Sequence, residues 1–440
     1  MKEKLSTFQI ILFVILGFAI IIGVLVFSFQ RSKSENTSAP VTMWGTLPGT
    51  VIRELSEKIN EAKRDSLNLT YIEFTAEEFE AKLIEALASG TGPDMVVFND
   101  DLLVKHENKL AVIPYESFPQ KTFKDTFIEA GDILLKKDGI VGFPWIVDPL
   151  VMYYNKSILN SEGVAVPPKF WDEVLTLVPT LVKKDATFNI SRAVVSFGEF
   201  RNVNNAKDIF ATLVMQAGNP IVTRNYAPAE TFERTEFISI FSDRLGFNLV
   251  PAEAALTFFT QFSNPAKASY TWNRGLPSSQ AMFLSGDLIF YFGFASEYEI
   301  LQRKNPNLNF DVAMIPQSRT VQNQKTTYGD LYMIGLVKNS PNLASAFNAT
   351  YMLTLSENVA TLSDIMNLPP VRRDLLVGKN DNAALQTFYA SALITKPFVD
   401  PSVKDTTAIW TNMVESIVSG RNSESDAVLR ADSEMDKFLK

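Results

Sequence analysis

The sequence predicts an α/β protein. Between residues 41 and 440, short β-branched or aromatic runs alternate with stretches whose apolar residues recur every three or four positions. Such alternation predicts a mostly parallel sheet covered by helices. The composition is that of a folded chain, 46% hydrophobic and 20% charged over 440 residues. That length suits two α/β lobes better than one.

The first element stands apart from the lobes. Residues 8–29 carry no charge and would form roughly 33 Å of helix, enough to span a bilayer core. Arg31 and Lys33 follow directly, and the one small-residue candidate for cleavage, Ser38-Ala39, precedes Pro40. An uncleaved N-terminal transmembrane helix is therefore expected over a removed signal. Residues 1–7 lie before it, and the polar stretch 30–40 reads as a flexible tether. Lys2 and Lys4 balance Arg31 and Lys33, so charge alone does not orient the anchor.

The lobes begin with the strand-like Val41-Thr-Met-Trp44. A helix follows Pro48, with Val51, Ile52, Leu55, Ile59 and Ala62 on one face. Residues 69–74 read as a second strand. Thr75-Ala-Glu-Glu78 is a capping-box pattern, and Gly90 can end the helix that it opens. Residues 95–98 form a short apolar strand, and further strands are expected at 193–197, 288–292, 310–315 and 331–337. The stretch GFPWIVDPLVMYYNK, from Gly142, is strand-like yet holds Pro144 and Pro149. Proline removes a ladder donor, so the strand must be interrupted there.

Several functional classes are disfavoured by composition. The net charge of −8, from 41 basic and 49 acidic residues, lacks the basic excess that nucleic acid requires. Cysteine is absent, which removes disulfides, thiolate metal sites and Cys nucleophiles. The single histidine, His106, sits in the polar segment Lys105-His-Glu-Asn-Lys109 and is expected to be solvated. One histidine makes a zinc site improbable. The loop Gly90-Thr-Gly-Pro-Asp94 lacks the third glycine of a dinucleotide fingerprint and any P-loop lysine. No G-x-S-x-G elbow occurs. No cofactor or metal is expected.

Aromatic and polar residues meet instead at segment ends. Trp44 precedes Gly45, and Asn99 and Asp100 follow the strand at 95–98. Trp145 and Asp148 lie at the interruptions of the proline-bearing strand, Trp272 lies in a loop, and Phe294 follows Gly293. In α/β sheets ligands collect outside the carboxyl ends of strands. Sugars suit such a lining, because their C–H faces pack on rings while Asp and Asn take up hydroxyl hydrogen bonds. Most of the 33 phenylalanines must simply be core.

The order of several short motifs resembles family 1 extracellular solute-binding proteins, the group that includes maltose-binding protein of ABC importers. They are VTMWGT, LASGTGPDMVVFNDD, GIVGFPWIVDPLVMYYNKSIL with VPPKFWDEV, QAMFLSGDLIFYFGFASE, VAMIPQ, YGDLYMIGLVKNSPN, LPPVRRDLL and AIWTNMVESIVSGR. The resemblance implies a two-lobed, periplasmic-binding-protein-like clamp closing on a solute, with three crossings between lobes near 147–150, 313–316 and 354–356. Lobe 1 would comprise 41–148 plus 314–355, and lobe 2 would comprise 149–313 plus 356–440. Ligand contacts carried over by the resemblance are Trp44, Gly45, Trp145, Asp148, Gly293, Phe294, Tyr328, Asp330, Arg372 and Trp410. Two departures stand out: phenylalanine where tryptophan often follows Gly293, and a transmembrane segment in place of a lipid-acceptor cysteine. The resemblance also implies that the lobes lie outside the cell.

The function expected is a non-enzymatic, membrane-tethered carbohydrate receptor that delivers its solute to ABC permease subunits. A sensor without a transport role is the alternative, followed by a glycan-acting hydrolase.

Overall fold

The computed structural model describes residues 39–63, 67–225, 237–319, 321, 325–378 and 382–439. The expected anchor at 8–29 and all but the end of the tether lie outside them. Among the described residues, no helix is long and apolar enough to cross a membrane.

Thirteen strands are described: β1 Val41–Gly45, β2 Leu69–Glu73, β3 Met95–Asn99, β4 Ile113–Pro114, β5 Gly139–Ile140, β6 Phe143–Asn155, β7 Lys183–Lys184, β8 Ile190–Val195, β9 Val222–Arg224, β10 Phe237–Ser239, β11 Leu288–Phe294, β12 Phe310–Ala313 and β13 Gly329–Leu336. The main sheet runs β2-β1-β3-β13-β6-β11-β8-β7, with β12 also on β6. The expectation of a mostly parallel sheet needs correction. β1 is parallel to β2 and β3, and β11 to β8. Every pair made by β6 or β13, however, is antiparallel. These are the strands that join the two halves of the sheet, so they return against the direction of the βαβ units.

β6 explains its own prolines. Its first half, from Phe143 to Pro149, pairs with β13, and its second, from Leu150 to Asn155, pairs with β11 and β12. Pro144 faces Met333 where the β6–β13 register shifts, and Pro149 is the last residue paired to β13. Each proline stands where the ladder is already broken, so its missing N–H costs little. The Leu150 N–H then donates to the Tyr328 carbonyl, 2.9 Å away, and Pro149 O accepts from the Ala295 N–H at 3.0 Å.

Local signals read from sequence recur in the structure. Thr75 caps the helix Ala76–Ser89 by accepting the Glu78 N–H, and Gly90 ends it at φ 73°. That left-handed angle strongly favours glycine. Around the sheet, Phe123, Phe127 and Phe143 form an aromatic core in the first half, and Trp171, Phe197, Phe258, Phe262 and Phe292 form one in the second.

The resemblance places residues 356–376 in lobe 2; in the structure helix Ser356–Met366 packs on helix Gly49–Lys63, and Arg373–Leu376 packs on Gln120–Thr126. Bridges Phe127↔Arg372 and Ile146↔Pro370 tie this segment to the first half. Helix Ala383–Ala392 packs instead on β6 and β12. His106 is also corrected: it is fully buried, with its ring 6.0 Å from Phe98 and 6.5 Å from Phe79. Burial, and then the Lys109 charge, lower its pKa to about 4, so the ring is neutral.

Candidate functional site

The end of β3, the start of β13, the end of β11 and the start of helix Ala206–Gln216 converge where the halves of the sheet meet. They frame a cavity of about 490 Å³ whose lining includes Asp101, Asn205, Lys207, Asp208, Phe294 and Asp330. The polar groups belong to strand ends and a helix start because backbone geometry changes there, leaving side chains aimed out of the layer.

The first-half wall is built on Asp100. This buried carboxylate accepts the Leu331 N–H at 2.8 Å and lies 3.5 Å from the Tyr328 hydroxyl, bracing β3 against β13. Tyr328 also donates to Asp330 at 3.1 Å. Asp101 follows, accepting from the Asn99 amide at 3.1 Å.

The second-half wall is organised by Glu297. Its carboxylate accepts from Asn205 Nδ2 at 2.7 Å, the Phe294 N–H at 3.0 Å, Gln280 Nε2 at 3.0 Å and the Tyr291 hydroxyl at 2.5 Å. These bonds hold Phe294 and Asn205 against the cavity. Asn205 has a φ of 57°, a left-handed conformation that asparagine tolerates better than most residues. The same turn joins the halves, since the Ser296 N–H donates to Asp148 at 3.1 Å.

Lys207 lies inside the cavity, 8% exposed. Its ammonium is 2.7 Å from Asp400 and 3.5 Å from Asp101. Asp400 is further held by the Thr406 hydroxyl and the Ser402 N–H. Burial acts to lower the Lys207 pKa, but Asp400, Asp101 and Asp208 outweigh it and hold the amine above its ordinary value. Four of the acids around the site shift upward. Burial raises Asp148 to about 7, partly offset by Ser296, and raises Asp208 to about 7 against the pull of Lys207. Asp100 and Asp330 rise well above the usual carboxylate range, through burial and then neighbouring acids.

The expected contact residues divide into groups. Phe294 and Asp330 line the cavity, and Tyr328, Asp148, Asp100 and Asn99 lie in the network behind it. Gly293 is buried, and a Cβ there would lie 2.7 Å from Glu297 Oε1. Trp44 packs on Phe74 at 4.9 Å beside Gly45, outside this cavity lining, with its indole N–H unpaired. Three of the expected tryptophans lie in the core. Trp145, Trp272 and Trp410 are each 0% exposed. Their N–H groups are bound by Leu353 O, Asn202 Oδ1 and Met435 Sδ. Trp410 is stacked between Phe241 and Phe398. Arg372 is engaged by Asp374 and the Thr354 carbonyl rather than by the cavity. β6 is buried on both faces, so Trp145 lies in the core whichever way it points, and indoles with satisfied N–H groups in close packing have no face left for a solute.

Sequence reading did not select Asp101, Phe200, Asn205, Lys207 or Asp208. The polar run Arg201-Asn-Val-Asn-Asn205 between Phe200 and an apolar helix was the available signal. Among the described residues, no group of three or more acidic or histidine side chains is arranged to hold a metal ion.

A polar cavity held between two α/β halves, joined by strands that serve both, defines a solute-binding clamp. The chain belongs to the bacterial extracellular solute-binding proteins, whose family profile matches residues 54–387. It is similar to a protein of Brucella abortus named as a binding protein, with 23% identity over 87% of this chain and 89% of the relative. Its fold is that of a cyclo/maltodextrin-binding protein solved with maltotetraose, with a TM-score of 0.71, 16% identity, and 93% of this chain and 99% of that one covered. A cyclic α-maltosyl-1,6-maltose binding protein from Arthrobacter globiformis also reaches a TM-score of 0.71, at 15% identity, covering 91% of this chain and 99% of that one. This is a family of binding proteins rather than enzymes.

Proposed function

We infer that the protein is a carbohydrate receptor of an ABC importer, holding an oligosaccharide in the cavity beside Phe294. The observation that carries this reading is the pairing of one aromatic ring with the Asp101, Asp208 and Asp330 carboxylates and the Asn205 amide around one cavity. A ring can take a sugar's C–H face while the polar groups take its hydroxyls. The maltodextrin-binding proteins that share the fold support an oligosaccharide as the solute class.

In this reading the β1–β3 side, with β13 and residues 356–376, forms one lobe. The β8–β11 side, with β12 and residues 383–439, forms the other. Solute favours the closed population, and a permease receives it on opening. The uncharged segment 8–29 tethers the receptor to the membrane, with the lobes outside the cell.

Calorimetry of the full chain against a panel of malto-oligosaccharides and cyclodextrins tests the proposal. Binding is expected for at least one panel member, with Phe294→Ala and Asp330→Asn each weakening it by about 1–3 kcal/mol. If both variants bind that sugar like the parent, the site is elsewhere. Absence of binding across the panel refutes the solute class.

A further inference from the structure

Between described residues, three ion pairs that join the two halves share one polarity. The acids Asp101, Glu107 and Glu129 lie on the β1–β3 side. That segment is fastened to the first half by the Ala111 N–H on Leu336 O at 2.8 Å and the Val141 N–H on Leu134 O at 3.0 Å. The cations Lys207, Arg224 and Lys396 lie on the other side, in helix Ala206–Gln216, in β9 and after helix Ala383–Ala392. The pairs span 3.5 Å for Lys207–Asp101, 2.9 Å for Arg224–Glu107 and 3.1 Å for Lys396–Glu129. Arg224 makes a second contact with Glu107 at 3.1 Å and donates to the Ile133 carbonyl at 2.7 Å.

Acids on one side and cations on the other attract as the lobes approach, within about a Debye length, near 10 Å at 0.1 M salt. Lys207 and Glu107 also keep same-half partners, Asp400 at 2.7 Å and Lys136 at 3.2 Å, which shorten the reach of their two pairs. The desolvation cost of each buried pair is met only when the lobes are fully docked, so the pairs also select one closed arrangement.

We propose that these three pairs form an electrostatic latch that draws the lobes together and biases the clamp toward closure before solute arrives. The latch rests on the clamp reading but not on the identity of the solute. Salt therefore shifts the open–closed equilibrium of the solute-free protein. Solute affinity includes that bias, because a larger closed population raises apparent affinity.

The absence of cysteine permits a direct test. Spin labels on Glu57→Cys and Thr257→Cys, exposed on opposite halves, report the separation of the lobes in the full chain by pulsed electron resonance, without solute. The expected result is a short-distance population at about 20 mM salt that shrinks toward longer distances at about 1 M. Lys396→Glu, at the most exposed of the three pairs, lengthens the low-salt distribution, and adding Glu129→Lys restores it. Arg224→Gln gives the larger displacement if it folds, whereas the Glu129/Lys396 exchange reads the same effect without disturbing a buried group. A distribution unchanged by salt and by these variants overturns the latch. Oligosaccharide binding measured alongside separates that outcome from failure of the clamp reading.

Discussion

Asp330 of β13 stands directly opposite Asp148 of β6 in an antiparallel ladder. Like charges at facing positions are unfavourable, and both acids are held above the ordinary carboxylate range. The pair is accommodated because Tyr328 bonds Asp330 and the Ser296 N–H bonds Asp148. Protonation relieves the rest.

This relationship predicts a pH dependence of stability. Asp148 has a native pKa of about 7, against an unperturbed value of about 4. Between those values the native state keeps a proton that the unfolded chain has released. Its contribution is therefore greatest at low pH and is lost as pH rises to about 7. The upper bound is about 4 kcal/mol. Urea melts at pH 5 and pH 8 should show a smaller difference for Asp148→Asn than for the parent; an equal difference would refute the assignment.

Glu297 should be a positioning residue for the cavity. Glu297→Ala leaves the donors of Asn205, Gln280, Tyr291 and Phe294 without their shared acceptor. A loss of about 2–4 kcal/mol in stability is expected. Glu297→Gln keeps an acceptor and should recover part of the stability, while still displacing the Phe294 backbone by presenting an amide donor. A solute affinity that tracks stability alone across these two variants would argue against positioning.

Gly293 should not tolerate a side chain. An added Cβ would lie 2.7 Å from both Glu297 Oε1 and Tyr291 Cε1, whereas at Gly378 nothing lies within 4 Å. Gly293→Ala is expected to cost about 1–3 kcal/mol by overpacking, with Gly378→Ala near neutral. Thermal unfolding of the two variants side by side decides this.

The buried tryptophans should report on stability. Trp410→Ala removes a ring stacked between Phe241 and Phe398 and should cost about 3–5 kcal/mol. Trp145→Phe keeps most of the packing but leaves the Leu353 carbonyl without its indole donor, at about 1 kcal/mol. Normal stability in Trp410→Ala would contradict its core placement.

The sequence by itself determined the features that depend on near neighbours. Periodicity marked the strands and helices, Thr75 and Gly90 marked the limits of one helix, Pro144 marked where the register of β6 on β13 shifts, and Pro149 marked where β6 changes partners. The order of motifs is enough to indicate the family whose profile matches residues 54–387. Whether an aromatic faces a cavity or a core was decided only by tertiary structure. Trp145 and Phe294 look alike as aromatic residues near strand ends, yet one is enclosed by Leu353 and its neighbours while the other lines the cavity. Side-chain direction follows local alternation, but what waits on each side is supplied by elements far away in sequence. The same holds for Lys207. Its partners Asp101 and Asp400 are distant in the chain, and only folding places their charges around one ammonium.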